Sequence, residues 1–358
     1  MGSAGRAGMD ETVEFASFYQ LPAWSGQAPV QRYRDTLDQI ALADRVGLDA
    51  VWLAELHFQP DYSVMPAPLL VAAAATQRTE RIRLGVGVNL LPLHDPLHLA
   101  EQIAALDVLS EGRVLCGVGR GGNPAHFAGY GIDMASRTER FEEAAQVLHG
   151  AWADAPLTFA GRHFRYDAVN VVPKPVQRPG PPLWVATNSE QTIEAAARAQ
   201  RPILVSTVTH PAAVVAERVQ RYRRLRQETG HPAGDHDVGL MFPLHVAADG
   251  ATARAEAEDS IISYLRMAGR DLGGAYRSRG EEPPARLRRY SDAGYDVVTD
   301  DMGAIGDPAE VADRLRALAG EIGAGHLAGW FNTGGLIPHD RVRASMRLFA
   351  EEVIPRLR

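Results

Sequence analysis

From residue 13 almost to its end, this chain alternates short apolar, β-rich runs with stretches of helical periodicity. "VEFASFY" (13–19) predicts a strand, and "PVQRYRDTLDQIALADRVG" (29–47) predicts a helix that stops at glycine. Further strands are expected at 49–55, 81–91, 113–119, 182–188, 202–207, 238–247 and 326–334, with a helical pattern after each. A strand, a helix and a second strand in that order make a right-handed parallel crossover. Eight such units favour an α/β architecture closed into a (β/α)8 TIM barrel over an open sheet. In that architecture chemistry collects at the C-terminal ends of the strands.

Two stretches, 153–181 and 269–306, break the rhythm and are too long for plain connectors. The expected organisation is a leader at 1–10 and one domain over 11–358. Within that domain, 153–181 is an insertion after strand four and 269–306 a mobile lid after strand seven. Helix starts are also legible: Ser136 with Glu139 reads as a capping box, and Asp307 with Pro308 as a cap and first helical residue.

Composition narrows the function. The 44 acidic and 37 basic residues give a net charge of −7 without a basic stripe, which argues against a nucleic-acid partner. A single cysteine excludes an internal disulfide and any multi-thiolate metal site, and Cys116 reads as a small core residue. No secretory apolar segment and no run long enough to cross a bilayer are visible, so the expected place is the cytoplasm, with no membrane partner.

Four strand ends carry candidate chemistry. "GVGRGG" has glycines at 117, 119 and 122, but Asn123–Pro124 follows and favours a turn over a dinucleotide-binding helix start. As a strand end it offers backbone to a planar ligand and Arg120 to a phosphate, unless Arg120 merely pairs with a surface acid such as Glu111. "ATNSEQT" ends a strand and opens a helix, whose free N–H groups favour an anion. Thr187, Asn188, Ser189, Gln191 and Thr192 could complete that site, or Asn188 or Ser189 could simply cap the helix. A barrel sets these two strand ends side by side. In "LGVGVNLL", Gly85 and Gly87 weaken a good strand unless a bulge or a close ligand compensates. In "AELHF", Glu55 and His57 share a strand face, and His57 suits proton transfer. His94, His98 and His126 read as loop or helix-surface residues without metal-ligand spacing. Tyr19, Trp24, Phe58, Phe242, Trp330 and Phe331 are candidates for an apolar pocket as much as for core. A phosphate grip and a glycine-rich floor, with no nucleophile elbow, zinc motif or P-loop, suggest an organic cofactor that performs the chemistry itself.

In this order and spacing, "DAVWLAELHF", "LGVGVNLLPLHDPLHLAEQIAALDVLSEGRV", "GVGRGGNPAHFAGYG", "VATNSEQTIEAAA" and "IGDPAEVADRL" resemble the bacterial luciferase-like flavin-dependent monooxygenases. The resemblance covers nearly the whole chain. It implies reduced FMN as co-substrate, O2, a flavin C4a-hydroperoxide, a small organic substrate, a separate flavin reductase and a homodimer. It gives Arg120 and the 187–192 segment the flavin phosphate. It puts a non-proline cis peptide at Gly87–Val88 beneath the isoalloxazine ring and points Asn89 toward that ring. His57 becomes the candidate for proton transfer, and Arg288 and Arg289 could clamp the lid. The sequence departs from luciferase at Leu56, which stands where the first of two histidines is expected, and at Gly119, which stands for a cysteine. Light emission is therefore not expected, and hydroxylation or Baeyer–Villiger oxygenation is. Two alternatives remain open: an F420-dependent oxidoreductase on the same barrel, and a non-catalytic flavin-binding subunit.

Overall fold

The computed structural model describes residues 13–24, 26–278, 280–292, 294–298 and 301–358. The leader expected at 1–10 lies outside the described residues. The strands, in chain order, are β1 (Glu14–Tyr19), β2 (Ala50–Leu53), β3 (Arg83–Leu90), β4 (Val114–Gly119), β5 (Leu157–Ala160) and β6 (Arg165–Val169). They continue with β7 (Leu183–Ala186), β8 (Ile203–Ser206), β9 (Val238–Val246), β10 (Ala304–Gly306) and β11 (His326–Trp330). Eight of them close into a parallel ring in the order β1-β2-β3-β4-β7-β8-β9-β11, with β11 returning to β1. These are the eight strands expected from the sequence, and the fold is a (β/α)8 barrel.

The 153–181 stretch holds the antiparallel β5–β6 hairpin. In the second stretch the preceding helix runs on to Ser278, a short helix covers Ala285–Arg288, and β10 adds to β9 in parallel. Three-residue β10 carries too little periodicity to be read from sequence. The Asp307 capping box is present, with Glu310 completing it. The one expected at Ser136 is not: Ser136 is already in the right-handed helical region, Asp133 caps the turn ahead of it, and Glu139 pairs with Arg162 and His163.

One side chain organises the barrel interior. Trp52 of β2 is fully buried, donates from Nε1 to His326 Nε2 at 2.7 Å, and meets Trp184 edge-on at 5.6 Å. His326 in turn holds Glu14 at 2.9 Å. The indole explains the glycines of the neighbouring strands. A Cβ on Gly85 would stand 2.6 Å from the Trp52 ring, and one on Gly87 would stand 3.0 Å from it. These glycines make room for a core tryptophan, and the β3–β4 register shifts between Val86 and Asn89, the bulge that is one of the two readings of this strand.

Gly117 is tighter still, since its Cβ would lie 2.1 Å from the Val86 carbonyl oxygen, a backbone atom. Gly117→Ala should cost about 2 kcal/mol or more in equilibrium urea unfolding. Gly320→Ala, in an open helical position, should be neutral or stabilising by up to about 1 kcal/mol. Equal stability of the two variants would contradict this packing.

Candidate cofactor and substrate site

Direct parallel pairing sets the ends of β4 and β7 beside each other, and Arg120 follows β4 directly. Its Nη2 donates to Ser189 Oγ at 3.1 Å and its Nη1 reaches Thr138 Oγ1 at 3.4 Å. Among the described residues Arg120 makes no ion pair; Glu111 lies before β4, at the opposite end of the strand. Burial, then the neighbouring Arg137, lowers its pKa from the usual guanidinium value.

Ser189 caps the helix Glu190–Arg198, accepting from the Thr192 N–H at 3.3 Å, while its own N–H donates to Thr187 Oγ1 at 2.9 Å. The N–H groups of Glu190 and Gln191 are left without intrahelical partners, as at any helix start. Arg218, from the helix Ala212–Glu228, donates to the Asn188 carbonyl and borders the same space. Nothing in "AERVQRYRRLRQE" separates this arginine from its solvated neighbours, so the sequence did not reveal it. Val88, Gly119, Arg120, Thr187, Ser189, Thr192 and Arg218 border a cavity of about 580 Å³.

Several expected contacts fall elsewhere. The Asn188 side chain is spent on β8: it donates to the Ser206 carbonyl at 2.9 Å and accepts from the Ser206 N–H at 3.1 Å. It also donates to Thr209 Oγ1 at 3.1 Å, and both residues border the cavity. Gln191 lines an adjoining groove with Gln146, Arg198 and Arg201, which shares Arg120 and Thr192 with this cavity. The Gly87–Val88 peptide is cis, but Gly87 faces Trp52, and Val88 is the residue on the cavity wall. Asn89 is buried in the β3–β4 seam, donating to the Gly117 carbonyl at 3.0 Å, and does not border this cavity.

A second cavity of about 330 Å³ opens from the first, sharing Leu90, Gly121, Gly122, Thr209 and Tyr276 with it. Glu55, Leu56, Tyr62, His126 and Tyr264 form part of its wall. Glu55 is the centre of a buried network. Its carboxylate meets His57 Nε2 at 2.7 Å, His94 Nε2 at 2.9 Å and the Leu90 N–H at 3.0 Å. Burial alone would raise its pKa, yet the hydrogen bonds from His57, His94 and Leu90 prevail and hold it at about 2. His57 Nδ1 meets the Tyr130 hydroxyl at 3.1 Å, and the His57 N–H donates to His126 Nε2 at 3.4 Å. Burial, then nearby His57, lowers the His126 pKa to about 4. His57 thus stands one layer behind the wall, and His126 and His94, read as loop or surface residues, belong to the network. Of the expected aromatic lining, Phe242 is core, Trp330 packs edge-on against Phe18 and Tyr264, and Phe58 is 59% exposed. The tyrosines at 62, 264 and 276 take that place.

The segment after the long helix lies over this mouth. Arg286 donates to the Thr207 carbonyl at 2.9 Å and pairs with Asp301 at 2.6 Å, and the Tyr290 hydroxyl donates to the Val208 carbonyl. Arg288 pairs with exposed Glu282 instead of the barrel. Among the described residues, no cluster of side chains suited to a metal and no helix long and apolar enough to cross a membrane is present.

Known proteins agree with this geometry. The oxygenase component of a flavin-dependent trigonelline monooxygenase from Acinetobacter baylyi is 25% identical over 353 residues, covering 96% of this chain and 95% of that protein. A protein of Sinorhizobium fredii is 40% identical over 172 residues, so the match spans 48% of this chain and about half the length of that relative. The monooxygenase RslO1 from Streptomyces bottropensis superposes with a TM-score of 0.84 at 27% identity, over 96% of this chain and 99% of that one. Two structures below 25% identity share the fold. One is the oxygenating constituent of 3,6-diketocamphane monooxygenase from Pseudomonas putida in complex with FMN, with TM-score 0.81, 20% identity and coverage of 96% and 99%. The other is an F420-dependent secondary alcohol dehydrogenase, with TM-score 0.75, 19% identity and coverage of 97% and 100%. The family model for luciferase-like monooxygenases matches residues 13–326, and the chain belongs to that family.

Proposed function

We propose that this chain is an oxygenase that takes reduced FMN from a separate flavin reductase and uses O2 to oxygenate a small organic substrate. The observation that carries this reading is the pair of arginines, 120 and 218, facing one cavity beside an open helix start, neither with an ion-pair partner among the described residues. Two guanidiniums and free amides held together without an anion would be electrostatically wasteful; a flavin phosphate supplies it. Arg120, Arg218, Ser189 and the Glu190 and Gln191 N–H groups would hold that phosphate. Val88 and the backbone of Gly119–Gly122 would border the ring system. Bound there, reduced FMN supplies the two electrons with which O2 is divided between the substrate and water.

The remaining work belongs to the chain. His126, on the cavity wall and neutral, accepts at Nε2 from the His57 N–H and so keeps its ring proton on Nδ1 as a donor. His57 acts from behind, fixing His126 through its backbone N–H while Glu55 and Tyr130 fix its own ring. The proton-transfer role expected of His57 is in this reading a positioning role. The Arg286–Asp301 pair holds the covering segment against the loop after β8, which keeps water from the mouth.

The F420 alternative needs a basic channel for an acidic tail beyond the phosphate. The groove next to Arg120 contains Arg198 and Arg201, but also Glu142 and Glu194, the latter within 3.9 Å of Arg198. That balance favours FMN. Apolar exposure at Leu70, 72%, and Leu109, 57%, on adjacent helices supports the expected homodimer.

Arg120→Ala should weaken anaerobic binding of reduced FMN about tenfold to a hundredfold with little change in thermal stability. Unchanged affinity, or tight binding of F420 with none of reduced FMN, would sink the reading. Leu109→Asp should convert a dimer to a monomer in light scattering; a wild-type monomer would refute that assignment.

His126 also predicts a pH dependence. Its folded pKa near 4 lies below the unfolded value of 6.5, so the unfolded chain takes up the proton first as pH falls. Stability is therefore lost between about pH 6.5 and 4, by up to about 3 kcal/mol from this group. In His126→Asn, urea unfolding midpoints should fall less across that window than in the wild type. Parallel curves would show that His126 is not held neutral.

A further inference from the structure

Resting on the oxygenase reading, the second cavity narrows what is oxygenated, because its side-chain acceptors are taken while two donors stay open. Among the described residues no lysine or arginine lines it, and its one carboxylate, Glu55, already takes three donors. Gln59 Oε1 accepts from Asn123, Asn123 Oδ1 from the Ala125 N–H, and Thr209 Oγ1 from Asn188. Gln20 Oε1 and the Tyr62 hydroxyl are sealed inside the wall and offer a ligand nothing. His126 and Tyr264 differ from these. Both are buried, at 3% and 7% exposure, and both border the cavity. His126 Nε2 faces two donors, the His57 N–H and Asn123 Nδ2, each at 3.4 Å, so the ring proton sits on Nδ1. Neither that Nδ1 nor the Tyr264 hydroxyl has a hydrogen-bond partner among the described residues, and neither belongs to the sealed atoms. A polar atom left this way on a buried side chain is costly, and here a ligand in the cavity can supply the partner.

We propose that this cavity binds a neutral carbonyl compound, about twice the size of benzene, whose oxygen takes the open donors of His126 and Tyr264. The size follows from volume: a dry cavity of about 150 Å³ accepts benzene, and this one is about 330 Å³. Neutrality follows from charge, since an anion in this cavity would meet the Glu55 carboxylate and no cation. The carbonyl follows from the balance of donors and acceptors. Its oxygen brings two lone pairs and no proton, whereas an alcohol brings an O–H into a wall whose side-chain acceptors are taken. Burial keeps both donors in the form required: it raises the pKa of the Tyr264 phenol, which holds its proton, and keeps His126 neutral with a pKa of about 4. Leu56, Leu90 and Leu272 receive the apolar remainder of the molecule.

Isothermal calorimetry on the flavin-free and the FMN-loaded protein tests this with β-tetralone, β-tetralol, tetralin and tetralin carboxylate. Tetralone should bind about tenfold tighter than tetralin, and tetralol and the carboxylate should both bind more weakly than tetralone. Tyr264→Phe should weaken tetralone about threefold to tenfold and leave tetralin unchanged. That variant should keep its thermal midpoint, because the hydroxyl it loses has no partner in the protein among the described residues. His126→Leu leaves the His57 N–H unanswered and should lower the midpoint, so its measure is the ratio of tetralone to tetralin affinity, which should fall. In infrared difference spectra, the isotope-labelled carbonyl stretch of bound tetralone should lie at lower wavenumber in the wild type than in Tyr264→Phe. Tetralin, tetralol or the carboxylate equal to tetralone, selectivity unchanged in both variants, a carbonyl stretch that Tyr264→Phe does not move, or no binding in either form of the protein would overturn the proposal. Because the flavin-free arm does not use the phosphate grip, failure of flavin binding in Arg120→Ala and failure here are separate results.

Discussion

Everything at this site depends on closure of the parallel ring. β8 pairs with β9, and β11 returns to β1, so no strand edge is left open and every strand delivers its C-terminal end to one mouth. Because β4 and β7 are neighbours in that ring, Arg120 and Ser189, 69 positions apart in sequence, come within 3.1 Å. The β4–β7 pairing itself fixes that distance, and closure of the ring brings the remaining strand ends to the same mouth. The meeting of Arg120 and the 190–198 helix start is thus a property of topology first and of the individual side chains second.

Local signals carried much of the fold. Strands and helices announced themselves by period, Asp307 by its cap, and Cys116 by its apolar neighbours; it is indeed buried, and burial pushes its thiol to about 12. Ser189 was legible for the same reason, since a cap is defined by the residues next to it. What stayed illegible was settled by partners distant in sequence. Asn188 looks equivalent to Ser189 until β8 arrives and takes its amide. Gly85 and Gly87 look like breaks in a good strand until Trp52 fills the space opposite. His94 and His126 look like surface residues until Glu55 and His57 come between them. Arg218 is one arginine among many on its helix, and only the neighbouring Asn188 carbonyl and the cavity distinguish it.

The Glu55 network shows how the barrel keeps a charge in its wall. A buried carboxylate is unfavourable unless its oxygens are met by donors. Here the donors come from nearby chain: His57 is two residues on along the same strand end, while Leu90 and His94 close and follow the adjoining β3. Two imidazoles and one amide therefore reach Glu55 without a long loop having to be ordered for them. The result is a fixed negative charge beside the second cavity that is already satisfied, and that orients His57 and so His126.

That completeness gives meaning to the places where satisfaction is missing. A wall that meets a carboxylate with three donors, and pairs Asn123 with Gln59 across the mouth, is not short of ways to answer polar atoms. The unanswered atoms at the anion grip are cationic or amide donors. The adjoining cavity makes no such demand: no lysine or arginine among the described residues lines it, and its Glu55 carboxylate is already met by three donors. Two connected spaces that share Leu90, Gly121 and Gly122 thus differ in charge, the first bordered by two guanidiniums and the second by no cation.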